Sequence, residues 1–285
     1  MKEVQRVIRD VQPHWVGDGF PVRSLFSYHE GDDFDPFLLL DYGGPYEFAP
    51  TEEKRGVGEH PHRGFETVTI VYQGELEHRD SSGSAGVIGP GDVQWMTAAS
   101  GIVHEEFHSR RFAKEGGMLE MVQLWVNLPA EEKMTPPKYQ GILDAEVPRV
   151  GLAGEAGTAR IIAGDFQGTR GAANTFTPIN VWDLQLIAEA ECILEIPERH
   201  TSLLVVQLGT IEVGGESVGS GELVLLGREG TRVTLHSVAA SRVLVLTGEP
   251  LGEPVVGQGP FVMNSRDEIR QAIHDYQSGR MGHLS

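Results

Sequence analysis

The chain has 285 residues, 40% of them hydrophobic, with 41 acidic against 23 basic side chains and a formal charge of −18 at pH 7. That length allows two domains, each with its own core, and an acid excess with no basic run argues against direct binding to a nucleic-acid backbone. No apolar run reaches membrane-spanning length, MKEVQRVIRD lacks the core of a signal peptide, and the single cysteine excludes an intramolecular disulfide, so a cytoplasmic location is the expectation.

In chain order, residues 4–11 read as a strand, followed by a Gly/Pro loop at 17–21. Residues 37–41 are a short buried strand, with Gly43-Gly44-Pro45 as its breaker, and 51–58 form a charged loop. The β-branched and aromatic run 65–72 is a strand closed by Gln73-Gly74. The chain then runs back out over 75–80. Turn clusters at 81–84 and 89–92 punctuate further short strands near 87–88 and 93–96, and Ser100-Gly101 leads into another. Residues 118–128 are apolar on both faces, as a buried strand would be. Trp95 and Trp125 are aromatic candidates for a pocket wall, with core packing the expectation for each. Residues 129–139, with Pro136-Pro137 inside, read as the connection between halves, which gives domains of 1–135 and 136–285. Many short strands, with 36 glycines and 16 prolines, describe antiparallel barrels or sandwiches rather than long helices.

Two i, i+2 pairs carry the chemistry: His60 with His62, and His104 with Glu106. Alternate residues of a strand share one face, so two such strands facing each other would enclose a metal ion. Pro61 places the first pair at a strand start or edge. Three imidazoles and one carboxylate suit a divalent first-row ion, Fe(II), Ni, Cu, Mn or Zn, with coordination positions left open. Spacing alone leaves Glu66 as the nearest rival ligand and His78, His108 and Glu105 as weaker ones.

The second half repeats the pattern without the chemistry. With Gly209-Thr210-Ile211 laid on Gly74-Glu75-Leu76 and Gly221-Glu222-Leu223 on Gly91-Asp92-Val93, the ligand positions fall on Glu195, Pro197, Thr234 and His236. A second site would have to be rebuilt from Glu198, His200 and His236, so the C-terminal domain is expected to be structural and metal-free. Cys192 is read as a packed strand residue. At the C-terminus Ser265-Arg266-Asp267-Glu268 is a capping box, and Ile269, Ala272, Ile273 and Tyr276 give one amphipathic helix over about 266–277, with His274 off the apolar stripe.

HPHRGFETVTIVYQGELEHRDSSG, PGDVQWMTAASGIVHEEF, LWVNLPAEEKMTPPKYQ and GPFVMNSRDEI together resemble the pirin family. The resemblance runs through most of the first half and returns near the C-terminus. It implies a bicupin, an all-β fold of two antiparallel jelly-roll barrels with a short C-terminal helix, and it maps the family's iron ligands onto His60, His62, His104 and Glu106 rather than Glu66. It further implies cleavage of a flavonol such as quercetin by dioxygen, with a small aromatic substrate and O2 as partners. Glu106 is the candidate for taking a substrate hydroxyl proton. Resemblance equally admits an iron-bearing regulatory protein whose redox state alters its affinity for a protein partner. Metal-assisted isomerisation or hydrolysis is a third reading.

Overall fold

The alternation of β-branched side chains with glycine-rich turns produces short antiparallel strands throughout a computed structural model that describes residues 1–284. Among the described residues two compact units result, one of residues 12–144 and 251–284, the other of residues 1–11 and 145–250. These differ from a cut at residue 135 in three places. Lys138–Ile142 pairs antiparallel with Val93–Thr97 and so extends the first unit; Val4–Ile8 pairs with Glu222–Leu226 and so belongs to the second; and the C-terminal segment returns to the first.

In the first unit a seven-stranded sheet runs in the spatial order Lys138–Ile142, Val93–Thr97, Phe65–Gln73, Gly117–Asn127, Phe37–Phe48, Phe20–Ser27 and His14–Val16. A four-stranded sheet has the order Gly56–His62, Ile102–His108, Leu76–Asp80 and Ala85–Ile88. The second unit repeats both. Its large sheet runs Val4–Ile8, Glu222–Leu226, Thr201–Leu208, Ser241–Gly248, Ile179–Leu186, Gly157–Ala163 and Arg149–Gly151, and its small one Ala190–Glu195, Arg232–Ser237, Thr210–Val213 and Glu216–Gly219. Strand for strand, each unit is the same jelly roll.

Local departures from the expected elements have local causes. Gly43-Gly44-Pro45 does not break its strand, which runs on to Phe48; the pairing instead shifts opposite Leu119 and Met121, a bulge in place of a stop. Gly44 sits at a φ of 116° with the Leu119 carbonyl where a Cβ would be, so only glycine fits. A short helix, Arg110–Glu115, follows the His104 strand, capped by Ser109, whose hydroxyl accepts from the Phe112 amide at 3.1 Å; the sequence reading places none there. The C-terminal helix spans Arg266–Gln277, with Ser265 accepting from the Glu268 amide. Ile269 and Ala272 are buried, while Tyr276 is 38% exposed and Asp275 is buried beside them.

That buried carboxylate explains why the C-terminal segment belongs with the first unit. Asp275 accepts from Arg63, the residue after His62, at 2.9 Å, and also from Gln271 and Arg280. The Arg63 Nε donates to the Ser100 carbonyl at 2.6 Å. Val262 and Arg63 are joined backbone to backbone, and Gly64 has the Val262 carbonyl 2.0 Å from where a Cβ would lie. Fully buried Lys133 donates to the carbonyls of Gly64 and Val262 and to the Asn127 side chain. The turn behind His62 is therefore gripped from three directions.

Candidate metal centre

Pleating and register assemble the candidate site. Gly56–His62 is the edge strand of the small sheet, and in its pairing with Ile102–His108 His60 stands opposite His104, and His62 opposite Ile102. Opposed residues share a face, as do residues two apart, so His60, His62, His104 and Glu106 all project to one side. A bulge between the His60–His104 and Val57–Glu106 pairs adds one residue on the edge strand.

The three imidazoles meet. One ring nitrogen of each lies within 4.8 Å of those of the other two, and the ring centroids are 4.2 to 4.9 Å apart. The His60 Nδ1 is engaged by the Gly58 carbonyl at 2.8 Å, which leaves its Nε2 as the lone-pair nitrogen. His104 Nε2 and His62 Nδ1 are buried with no hydrogen-bond partner. Burial, with the neighbouring imidazoles, pushes both rings well below the usual histidine range, so both are neutral at pH 7. Buried lone pairs converging without a donor are costly in a protein alone and fit a cation among them.

Glu106 stands somewhat apart. A carboxylate oxygen groups within 4.8 Å with ring nitrogens of His104 and His78, and Glu106 shares a cavity wall with His60 and His62. Its Oε1 accepts from Gln94 Nε2 at 3.0 Å, and the Thr69 hydroxyl, whose hydrogen goes to the Gln123 amide oxygen, lies 3.5 Å from it. Of the rivals left open by spacing, Glu66 lies in neither ligand group. It accepts from the Thr97 hydroxyl at 2.7 Å, and burial pushes its carboxyl up to about 7. His108 bonds the Gly19 carbonyl, and Glu105 pairs with Arg79 at the surface.

His78 is the residue whose importance spacing understates. It sits opposite Glu106 on the next strand, with Asp80 opposite His104, so His78 and Asp80 form a third i, i+2 pair on the site's face. His78 is 2% exposed, its ring stacks on Tyr139 at 5.2 Å, its Nδ1 lies 3.3 Å from His104 Nδ1, and its Nε2 lies 3.2 Å from the Asp80 carboxylate. Burial works against ionisation of Asp80, but hydrogen bonds from His78, Ser82 and Ser84 outweigh it and hold the carboxyl below its usual range.

In front of the imidazoles is a cavity of about 210 Å³, walled mainly by Val16, Phe20, Val22, Val57, Met121 and Trp125. Asp41, Gln123 and Glu106 supply its polar groups. Trp125 stands in this wall and also packs on the core, stacked on Phe65 at 4.2 Å; Trp95 is fully buried. Burial raises the Asp41 carboxyl, against a 2.5 Å hydrogen bond from Ser24.

In the second unit the ligand positions lie one residue from where sequence spacing puts them. Leu76 pairs with His108 and Ile211 with Ser237, and from those pairs the register sets His78, Glu106, His104, His60 and His62 against Val213, Leu235, Val233, Leu194 and Ile196. All five are buried in that unit's core. A one-residue shift exchanges faces: Glu195 and Pro197 are exposed, and His236, half-exposed, lies 3.8 Å from Glu212. His200 is buried against Thr247 at 3.2 Å.

Models of the pirin family match residues 19–126, and of the pirin C-terminal cupin domain residues 181–282. The chain belongs to the pirin family. A Pseudomonas aeruginosa protein provisionally named a quercetin 2,3-dioxygenase is 58% identical over 98% of both chains. A pirin-like protein of tomato is 39% identical over 93% of this chain and 88% of its own. The crystal structure of a quercetin 2,3-dioxygenase from Acinetobacter baumannii superposes over the whole of both chains with a TM-score of 0.97 at 51% identity. The Escherichia coli pirin YhhW, solved with nickel(II), shares the fold at a TM-score of 0.68 and 18% identity, over 86% of this chain and 99% of its own. Pirin membership accounts for the duplicated jelly roll, and no helix among the described residues is long and apolar enough to cross a membrane.

Proposed function

We propose that this chain is a metal-dependent oxygenase that cleaves a flavonol-like aromatic with dioxygen, using Fe(II) held by His60, His62, His104 and Glu106. The carrying observation is the convergence of three imidazoles, two of them with a buried, unpartnered nitrogen, beside an apolar cavity that His60 and His62 line. The quercetin dioxygenase names of its relatives support the same reading.

When bound, the ion supplies the Lewis acidity and one-electron chemistry that dioxygen needs to react with a closed-shell aromatic. The protein's own groups do the rest. The cavity is small against the roughly 300–1,000 Å³ of common ligand sites, which favours a flat ring system over a bulky chain, and its aliphatic wall displaces water from the reacting face. Trp125, held by Phe65, offers an aromatic face beside His62, 5.3 Å away. The Gln123 amide oxygen is taken by the Thr69 hydroxyl at 2.6 Å, so its NH2 is the end left for a substrate oxygen. Asp41 serves as acceptor for a ring hydroxyl. Glu106 takes the proton of the substrate hydroxyl nearest the imidazoles, and Gln94 steadies the carboxylate while it does so.

Dioxygen uptake by anaerobically Fe(II)-loaded protein given quercetin tests this, with metal-free protein and His104→Ala as controls for autoxidation. The expected result is uptake that needs both iron and His104. Iron retained without uptake above the controls overturns the oxygenase reading. Glu106→Gln tests the base role separately: turnover preserved with iron still bound would remove it.

A further inference from the structure

The two carboxylates flanking His78 dictate which way every hydrogen bond between them runs. At one end, Glu106 Oε1 accepts from Gln94 Nε2 at 3.0 Å, so the NH2 side of Gln94 faces it. The same Gln94 nitrogen lies 3.4 Å from His78 Nδ1, and the Gln94 oxygen faces the Tyr139 hydroxyl. An NH2 group beside Nδ1 requires that nitrogen to be the acceptor. His78 must then carry its hydrogen on Nε2, where the Asp80 Oδ2 stands 3.2 Å away to receive it. Both ends thus demand one tautomer of His78.

His104 is the next link. Its Nδ1 lies 3.3 Å from His78 Nδ1; since that atom carries no hydrogen, His104 must carry one on its own Nδ1, sharing the single His78 lone pair with the Gln94 NH2, and it keeps its own lone pair on Nε2. Nε2 is buried without a partner among the described residues, and His104 groups with His60 and His62. We propose that Asp80 and His78 are positioning residues, a proton-ordering chain that fixes His104 in the tautomer whose Nε2 lone pair faces His60 and His62. The ligand role of His104 rests on the function proposed above; the tautomer does not. Because both nitrogens of His78 are committed, the chain also explains how an imidazole so near His104 and Glu106 stays out of the ligand set.

Asp80 has a feature that makes the chain testable by one atom. Its Oδ1 accepts from the Ser82 amide, the Ser82 hydroxyl and the Ser84 amide, at 2.6 to 3.1 Å. In Asp80→Asn those three donors hold the amide oxygen, so the NH2 takes the place of Oδ2 and points a donor at His78 Nε2. That sets the Asp80 end against the Gln94 end, and where the new donor prevails His78 moves its hydrogen to Nδ1 and His104 its own to Nε2. Asp80→Ala imposes no direction and leaves the Gln94 end to choose. The order of the two variants therefore separates the roles: a merely structural Asp80 is harmed more by alanine, a proton-ordering one more by asparagine.

Nitrogen-15 NMR of metal-free protein, with histidine labelled, reads the tautomers directly, and competition with a chelator reads Zn(II) affinity. The wild type is expected to show His104 protonated at Nδ1; Asp80→Asn is expected to show it protonated at Nε2, with Zn(II) affinity down roughly 10- to 100-fold and the alanine variant between the two. His104 protonated at Nε2 in the wild type, or asparagine binding Zn(II) as the wild type does while alanine fails, overturns the proposal. Reversal of the tautomer without any Zn(II) binding by the wild type would uphold the chain and remove the ligand reading instead.

Discussion

The two jelly rolls of this pirin are built from strands in the same order and pairing, yet one interior holds three imidazoles, a carboxylate and a third-strand His78, while the other holds Leu194, Ile196, Val233, Leu235 and Val213 in the matching places. The aliphatic set is what a barrel of this kind uses when burial alone decides: each side chain is at most 3% exposed and packs into one continuous cluster. The polar set leaves two imidazole nitrogens buried and unpartnered. Such groups cost about 1–3 kcal/mol each, which selection has no reason to tolerate without a ligand. The comparison teaches that the scaffold does not need these residues to fold.

The most severe way to break the comparison is to write one interior into the other. His60→Leu, His62→Ile, His104→Val and Glu106→Leu together are expected to abolish metal binding and oxygen uptake, while the metal-free protein unfolds at the same or a higher temperature. Calorimetry and metal analysis check this. A variant that does not fold would show that the polar cluster is structural, and the argument from cost would be wrong.

Next in size is the ion pair behind His62. Arg63 and Asp275 are both about nine-tenths buried, and removing one partner strands the other charge. Asp275→Ala is expected to cost about 3 kcal/mol in urea unfolding and to weaken metal binding through the loosened His62 turn. The aliphatic barrel has no such requirement at Ile196. Metal affinity unchanged in Asp275→Ala would uncouple the C-terminal helix from the site.

A pH dependence comes from Glu66, beside the site but not in it. Its folded pKa of about 7 lies above the 4.5 of the free side chain, so the folded state holds a proton that the unfolded state releases between those values. The contribution is complete below about pH 4.5 and is lost as pH rises through 7, on the order of 3 kcal/mol in all. Urea midpoints at pH 5 and 8.5 are expected to differ more for the wild type than for Glu66→Gln. Equal differences would mean that Glu66 ionises freely.

Much of this was legible before the fold was known, because the first barrel's signals are local. The i, i+2 pairs at His60 and His104 mark one face of each strand without any knowledge of partners, and the capping box at Ser265 gives the C-terminal helix to the residue. What stayed hidden depends on pairing. Val4–Ile8 carries nothing that says it will edge the second barrel. His78-Arg79-Asp80 has the same spacing as the other pairs, but its meaning requires Leu76–Asp80 to lie beside the His104 strand. Trp125 sits in a strand apolar on both faces, which leaves pocket wall and core both open to a reader of the sequence, and the cavity and the Phe65 stack show it serving as both.

The register of the second barrel is the sharpest of these cases and supplies the smallest expected effect. Laying turn on turn carries Glu106 to His236, because the strand-to-strand spacing differs by one residue between the halves, and a strand converts one residue of error into the opposite face. The pairing of Val213 with Leu235 turns His236 outward, where Glu212 at 3.8 Å is its charged neighbour. His236→Ala is therefore expected to change stability by less than about 0.5 kcal/mol, as surface substitutions do, and to leave the number of metal ions bound per chain unchanged. Loss of a metal equivalent in that variant would mean that the second barrel binds through its outer face, and the contrast between a polar and an aliphatic interior would no longer describe how this chain divides its labour.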